Sequence, residues 1–288
     1  MSERLPLVAA QPGIWMAEKL SPLTNAWSVA HYVELEGELD AALLQQAIVR
    51  GLADADTLRM RFEEENGEVW QRPDPAWRPA LPAQADVRAA ADPQAAAEAI
   101  MQGDLQQNTR ADSGAPLLCH RLIRVGERRW FWYQRYHHLL VDGFSFPAIT
   151  RHIARIYAAL LAGEPLSDSP FTPFAEVVEE YQRYRDSDAC RRDKAFWAQQ
   201  RADLPPPASL SAAPLPGRAA STDIWRLKLT ADRHAFSRLA AASDDVQRAD
   251  LALALAALWL GRLCGRSDYA AGYIFCLLYT SDAADDTR

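Results

Sequence analysis

The chain has 288 residues, 49% of them hydrophobic, and a formal net charge of -7. Such a chain buries a large core, and its length lies at the border between one domain and two. Because no long run of lysine or arginine is present, we expect no binding to nucleic acid or to an anionic membrane surface. No segment approaches the roughly 18 apolar residues of a membrane span and no signal peptide is evident, so we expect a cytoplasmic location.

The first 165 residues alternate helix and strand patterns. Asp40 is a predicted N-cap, and Asn66-Gly67 is a strong hairpin signal, with Glu63, Glu64 and Glu65 expected in a solvated turn and not in a metal site. In chain order the patterns predict a helix at 5–20, a strand at 27–35, a helix at 41–52, a hairpin of 57–63 with 68–71, and a helix at 90–106.

A second predicted hairpin pairs 116–125 with 129–137, and its second strand leads into His-His-x-x-x-Asp-Gly at 137–143. A helix is predicted to follow at 146–161. At this chain's residue frequencies the motif would arise by chance in about one chain in two thousand. The junction of this strand and this helix is therefore the predicted site of chemistry.

Beyond residue 165 the patterns change to longer helices, which suggests a second lobe. Proline-rich stretches between 205 and 217 predict a stiff linker. The remaining elements are predicted helices at 174–186 and 188–201, a strand at 224–229, helices at 233–242 and 250–263, and a strand at 269–275. The predicted division is 1–165 for the first lobe and 166–275 for a helical connector and the start of the second lobe.

Other chemistry-bearing residues are scattered. The four cysteines form no Cys-x-x-Cys pair, and His31, His120, His152 and His234 stand alone. We therefore expect neither a metal site nor a redox motif.

With these motifs the chain resembles the condensation domains of nonribosomal peptide synthetases, which belong to the chloramphenicol acetyltransferase-like superfamily. Ala9–Trp15 is similar to the first signature of that family, and Phe171–Ala175 resembles the fourth. Asp54–Phe62 is similar to the second signature, although Asp54 and Ala55 depart from it. The resemblance implies an α/β fold of two α+β lobes with the histidine motif between them, and amide formation from carrier-bound thioesters.

The resemblance also implies roles for five residues. It makes His138 the general base or the group that positions the attacking amine, and it lets the chain approach the substrate closely at Gly143. It makes His137 a packing and hydrogen-bonding residue and Asp142 the partner of an arginine. That arginine would lie beyond residue 275, so we expect Asp142 to be unpaired here. For Ser145 we expect a cap on the following helix, the alternative being a hydrogen bond to the substrate.

The resemblance is strongest to a family member that builds a catechol siderophore. It implies a 2,3-dihydroxybenzoyl donor on an aryl carrier protein and a seryl acceptor on a peptidyl carrier protein. It implies no metal or organic cofactor within the domain, because the 4'-phosphopantetheine arms belong to the carrier proteins. Adenylation and carrier domains are expected to follow in the full-length protein.

The tail departs from the family abruptly. Residues 276–288 resemble a translated sequencing adaptor, so we expect a non-native tail and a truncated second lobe.

Three alternatives to a condensation domain stay open. They are a free-standing acyl-coenzyme A acyltransferase, an epimerisation domain with the same histidine motif, and an inactive fragment that does not close its active-site tunnel. The N-terminal position of the domain disfavours the epimerisation domain.

Overall fold

The computed structural model describes residues 4–208, 210 and 248–272. It divides into one compact unit that runs up to Ser187 and a second unit that starts at Asp188. The predicted strand at 224–229, the helix at 233–242 and the tail at 276–288 lie outside the described residues, as does the end of the predicted strand at 269–275. The predicted lobe boundary at residue 165 stays a prediction.

The first unit combines two small sheets with five helices in its described part. A short 3-10 helix at Asp56–Arg59 precedes the third strand. The strands are β1 (Leu5–Pro6), β2 (Ser28–Glu36), β3 (Met60–Glu65), β4 (Glu68–Pro73), β5 (Ala83–Asp86), β6 (Leu118–Gly126) and β7 (Arg129–His137); the helices are α1 (Gln11–Leu20), α2 (Ala41–Ala53), α3 (Pro93–Leu105), α4 (Ser145–Ala162) and α5 (Phe174–Arg185).

The larger sheet has the order β2-β7-β6-β5, and the smaller sheet has the order β1-β4-β3. Strand β7 pairs antiparallel with both of its neighbours, whereas β5 runs parallel to β6. A parallel pair needs a crossover connection, and α3 supplies it between β5 and β6. The mixed helix and sheet content is that of the predicted α/β class.

Strand β7 is buried on both faces because helices cover each side of the sheet. Trp130, Trp132 and Tyr136 belong to the larger core, which contains residues of α1, α2 and α4. Phe131 and Tyr133, at the alternate positions, belong to a smaller core with residues of α3. This alternation of side chains is the period of two expected of a strand.

Local signals in the sequence explain several boundaries. The Asp40 side chain accepts a hydrogen bond from the backbone N–H of Leu43 at 2.9 Å, which confirms the predicted N-cap of α2. Asn66 and Gly67 both have positive φ, at 55° and 79°, as a type I′ hairpin turn requires. The β3–β4 hairpin is therefore formed as predicted.

The three glutamates of this hairpin lie at the end of β3, and the turn itself is formed by Asn66 and Gly67, so the predicted placement was wrong. They face cations. Glu63 accepts from Arg72 at 2.7 Å, Glu64 lies 3.3 Å from Lys19, and Glu65 contacts Arg4.

The predicted helix over residues 5–20 was too long at its start. Leu5 and Pro6 pair with β4, and the helix begins only at Gln11, with Pro12 in its first turn where a missing N–H is tolerated. Strand β5 was not predicted at all, since its four residues are few and include no β-branched or aromatic side chain.

The second unit contains α6 (Asp188–Ala202) and α7 (Arg248–Cys264) among its described residues. In the described part of this unit, strand-like pairing consists of a bridge between Pro207 and Ala270. In the apolar α7, the side chains of Leu258, Trp259 and Leu263 are each more than half exposed. Within the described ranges, none of the helices has both the length and the hydropathy needed to cross a membrane.

Candidate active site

The histidine motif lies where β7 meets α4. Strand β7 ends at His137, a turn follows, and α4 begins at Ser145. His137 is the last β7 residue paired with β2, opposite Ser28, and the ladder continues by one bond because His138 donates its backbone N–H to the Trp27 carbonyl at 2.8 Å. Hydrogen bonds to neighbouring segments of the chain thus hold both histidines at the C-terminal end of the central strand β7, as the strand pattern predicted.

His137 is fully buried and hydrogen-bonded at both ring nitrogens. Its Nε2 lies 2.7 Å from a carboxylate oxygen of Glu18 in α1, and the backbone N–H of Leu139 donates to its Nδ1 at 3.1 Å. Its own backbone N–H donates to the Leu117 carbonyl at 2.7 Å. The ring therefore ties α1 to the backbone that follows the strand.

His138 is half-buried and has different neighbours. Its ring lies edge-on to the indole of Trp27, with centroids 6.4 Å apart. Its Nδ1 is buried and has no hydrogen-bond partner among the residues that the structure describes. Strand β7 ends at His137, and His138 is already the first residue of the turn.

Asp142 and Ser145 close the loop together. One carboxylate oxygen of Asp142 accepts from the Ser145 hydroxyl at 2.6 Å and from the backbone N–H groups of Ser145 and Phe144 at 2.9 and 3.1 Å. The backbone N–H of Asp142 donates to the Ser145 Oγ at 3.1 Å. The buried Asp142 is therefore not unpaired, contrary to expectation.

The prediction that Ser145 caps the helix was also wrong. The N-cap position of α4 is Phe144, whose side chain cannot accept a hydrogen bond, and Ser145 is the first residue of the helix. The carboxylate of Asp142 takes the first N–H groups of the helix instead. A negative charge at a helix N-terminus is favourable, since it complements the helix dipole.

Gly143 lies in the turn between the buried Asp142 and the helix, and it is exposed. It is the part of the motif that solvent reaches most readily, together with the neighbouring Phe144.

Helix α1 hydrogen-bonds to the motif through two buried side chains, Gln11 and Glu18, and the sequence analysis did not predict these contacts. Gln11 donates from Nε2 to the Leu139 carbonyl at 2.9 Å, while its amide group exchanges hydrogen bonds with the amide of Gln71 at 2.9 and 3.1 Å. Gln11 and Glu18 are seven residues apart and lie on the buried face of α1 with Ile14 and Trp15. Two polar residues within an apolar stripe are the signal that would have identified them.

A buried ion pair lies on the α3 side of the same strand. Arg135 donates from Nε to Asp104 at 2.5 Å, and the Tyr133 hydroxyl donates to the same oxygen at 2.9 Å. Burial opposes the charge of Asp104, but the hydrogen bonds and positive charge of Arg135 hold the pKa of that carboxyl below its ordinary value. Burial, together with the charge of Asp104, raises the pKa of Tyr133.

On the α4 side of β7 lies a buried chain of polar groups. The Trp132 indole donates to His120 Nδ1 at 3.2 Å, His120 Nε2 lies 2.8 Å from the Tyr136 hydroxyl, and that hydroxyl donates to Gln134 at 3.3 Å. Burial lowers the pKa of His120 to about 3, so this ring is neutral at pH 7.

The geometry brings together the five predicted residues in one loop and singles out the imidazole of His138. The other histidines of β6 and β7, His120 and His137, are occupied at both ring nitrogens. A half-buried imidazole with an unsatisfied nitrogen suits proton transfer or the positioning of an amine. Among the described residues, His, Cys, Asp and Glu side chains form no group of three that could hold a metal ion.

Comparison with known proteins agrees with this geometry. The family model described as "Condensation domain" matches residues 1–276. The chain is 68% identical over 275 residues to enterobactin synthase component F of Escherichia coli (strain K12), which covers 96% of this chain and 21% of that protein. It is 32% identical over 277 residues to the vanchrobactin synthetase VabF of Vibrio anguillarum, which covers 95% of this chain and 10% of that protein.

Solved structures give the same result. The first condensation domain of the calcium-dependent antibiotic synthetase, solved with a substrate analogue, matches with a TM-score of 0.80 at 29% identity, over 92% of this chain and 62% of that one. The starter condensation domain of the rhizomide synthetase RzmA matches with a TM-score of 0.65 at 35% identity, over 73% of this chain and 50% of that one.

The chain spans about one fifth of the length of the enterobactin synthase it matches, at 21%. The family model covers nearly the whole chain, and the solved relatives share its fold. The predicted resemblance and the predicted fold class are therefore confirmed: this chain belongs to the condensation-domain family of nonribosomal peptide synthetases, with the α/β fold of that family.

Proposed function

We propose that the chain joins the acyl group of one carrier-bound thioester to the amine of a second carrier-bound substrate. The amine nitrogen attacks the thioester carbonyl carbon, a C–N bond forms, and the C–S bond breaks. The proton lost by the nitrogen ends on the departing thiolate, so the products are an amide and a free carrier thiol. The observation that carries this proposal is the half-buried imidazole of His138 with its unsatisfied Nδ1 at the family's motif.

His138 is the proposed catalytic residue, either as the general base for the amine or as the group that positions it and stabilises the charged intermediate. A general base contributes roughly 10²- to 10⁴-fold to the rate. The remainder comes from holding the two reactants together. Gly143, exposed in the same turn, is proposed to let the substrate approach the backbone closely.

The proposed substrates follow from the relatives. The 68% identity to enterobactin synthase component F supports a 2,3-dihydroxybenzoyl donor on an aryl carrier protein and a seryl acceptor on a peptidyl carrier protein. The phosphopantetheine arms then arrive with these partners as part of the substrates, and the domain itself is proposed to need no cofactor. Adenylation and carrier domains downstream in a longer protein are proposed partners of the same reaction.

The test compares two forms of the donor. Dihydroxybenzoyl thioester is supplied either on an aryl carrier protein or as the free coenzyme A ester, with a seryl-loaded carrier as acceptor, and amide formation is followed by mass spectrometry. We expect product only with the loaded carrier protein. Equal or faster turnover of the free ester would instead favour a free-standing acyltransferase, and the absence of amide with every donor would contradict the proposal.

A cytoplasmic location stays a prediction.

A further inference from the structure

The buried carboxylate of Glu18 contacts the histidine motif from α1. Glu18 is 3% exposed, and its two oxygens are used separately. One lies 2.7 Å from His137 Nε2, and the other accepts the backbone N–H of Ala111 at 3.0 Å. Each oxygen therefore serves a different donor, in a place that water does not reach.

These contacts fix the position of the proton on His137. The backbone N–H of Leu139 can only donate, so at 3.1 Å it requires a lone pair on Nδ1. The ring proton must then be on Nε2, which donates to Glu18. A ring protonated at both nitrogens, or at Nδ1 alone, would set two N–H groups against each other at Leu139.

The hydrogen bond to Leu139 in turn sets the backbone around His138. His137 accepts from Leu139 through its ring and from the Leu140 N–H through its carbonyl at 2.9 Å. His138 lies between these anchored residues. Any change of the His137 tautomer therefore alters the turn that presents the His138 imidazole.

We propose that Glu18 is a positioning residue for the reaction: by holding His137 in its Nε2–H form, it fixes the turn that carries His138. This inference rests on the proposed function of His138. Glu18 does not touch the reacting atoms; it acts through His137 and the Leu139 N–H.

Because the two carboxylate oxygens of Glu18 accept from two different donors, substitutions of Glu18 test the proposal directly. In Glu18→Gln the side chain keeps one acceptor oxygen and gains an NH₂ group, so either His137 or Ala111 loses its acceptor. An NH₂ group facing His137 would favour the opposite tautomer, which the Leu139 N–H opposes. Glu18→Asp keeps two oxygens on a shorter side chain and should restore part of the arrangement.

A second histidine–carboxylate pair in the same unit provides a matched control. His152 in α4 lies 2.8 Å from Asp54 through Nε2, and His152 is buried while Asp54 is partly buried and also lies 3.3 Å from Arg50. Asp54→Asn therefore removes the charge of a comparable pair without touching His137 or Leu139.

The experiment has two readouts on the full chain: the nitrogen-15 spectrum of the histidine side chains, and kcat and KM with loaded carrier proteins. We expect the Nε2–H form of His137 in the unaltered chain. We expect Glu18→Gln to lower kcat by about 10²-fold with an almost unchanged KM, Glu18→Asp to fall in between, and Asp54→Asn to leave kcat unchanged.

Detection of the Nδ1–H form in the unaltered chain would overturn the inference, as would full kcat in Glu18→Gln or an equal loss in Asp54→Asn. If Glu18→Gln does not fold, a loss of kcat in folded Glu18→Asp supports the inference and full kcat there overturns it. If the unaltered chain forms no amide, the proposed function fails, while the tautomer of His137 in the unaltered chain and its change in Glu18→Gln still test the structural part of the inference.

Discussion

The indole of Trp27 meets the imidazole of His138 edge-on, with ring centroids 6.4 Å apart, and the Trp27 carbonyl accepts the backbone N–H of His138. Both rings carry a buried nitrogen, the Trp27 Nε1 and the His138 Nδ1, that has no hydrogen-bond partner in the described part of the chain. Buried polar atoms without partners are rare in folded proteins and call for an explanation. Here they mark the place where the proposed chemistry occurs.

Trp27→Phe should leave the free energy of unfolding unchanged or slightly higher, because it removes an N–H that has no partner and keeps most of the ring. Trp27→Ala, by contrast, should lower it by about 3 kcal/mol through lost packing. Denaturant unfolding followed by circular dichroism measures both. Equal losses in the two variants would show that the indole N–H is satisfied in the native state.

Variants of Gln11 and Gln71 distinguish a contribution to the stability of the fold from a contribution to the geometry of the motif loop. Gln11→Leu and Gln71→Leu each break the pair, and each should cost about 2 kcal/mol because buried polar groups lose their partners. Only Gln11→Leu also removes the hydrogen bond to the Leu139 carbonyl. We therefore expect a loss of kcat in Gln11→Leu alone, measured with loaded carrier proteins.

An equal loss of kcat in Gln71→Leu would mean that general destabilisation, and not the contact with Leu139, explains the effect.

Asp142 and Ser145 should contribute unequally to stability. Asp142→Ala deprives three donors of their acceptor and should cost about 3 kcal/mol, whereas Ser145→Ala removes one hydroxyl and should cost about 1 kcal/mol. Asp142→Asn retains a carbonyl oxygen and should lie between them. Urea unfolding followed by tryptophan fluorescence ranks the three variants, and a loss in Ser145→Ala as large as that in Asp142→Ala would contradict the bonding described here.

His120 should make stability depend on pH. Burial lowers its pKa to about 3 in the folded protein, whereas the unfolded chain titrates near 6.5. Between these values the unfolded state binds a proton that the folded state does not, so the free energy of unfolding is highest above about pH 6.5 and falls as the pH falls towards 3. The slope is about 1.4 kcal/mol per pH unit.

The measurement compares the unaltered chain with His120→Gln at pH 7 and pH 5. The half-buried His31, whose pKa burial also lowers, contributes in the same direction in both proteins. We expect the unaltered chain to lose about 2 kcal/mol more than the variant. Parallel losses in the two proteins would mean that His120 is protonated in the folded state.

Local patterns predicted the strand–helix junction that carries His137, His138 and Asp142, because period-two alternation and helix signals are short-range features. They did not predict the partners of these residues. Glu18 is 119 positions from His137 in the chain, and their contact depends on how α1 packs beneath the sheet. Likewise β5 forms only because α3 returns the chain to a parallel position beside β6.

The role of Asp142 illustrates the same limit. The family resemblance marked it as the partner of an arginine, whereas its carboxylate accepts hydrogen bonds from the N–H groups of Phe144 and Ser145 and from the Ser145 hydroxyl. Residue identity alone did not show that the aspartate, and not the serine, takes the first amides of α4.

The most direct test of the account is the rate of amide formation in a single turnover by His138→Ala, with dihydroxybenzoyl and seryl groups already loaded on their carrier proteins. We expect the rate to fall by roughly 10²- to 10⁴-fold while the binding of both carriers stays within about twofold. An undiminished rate in a folded His138→Ala protein would contradict the assignment of the reaction to this imidazole.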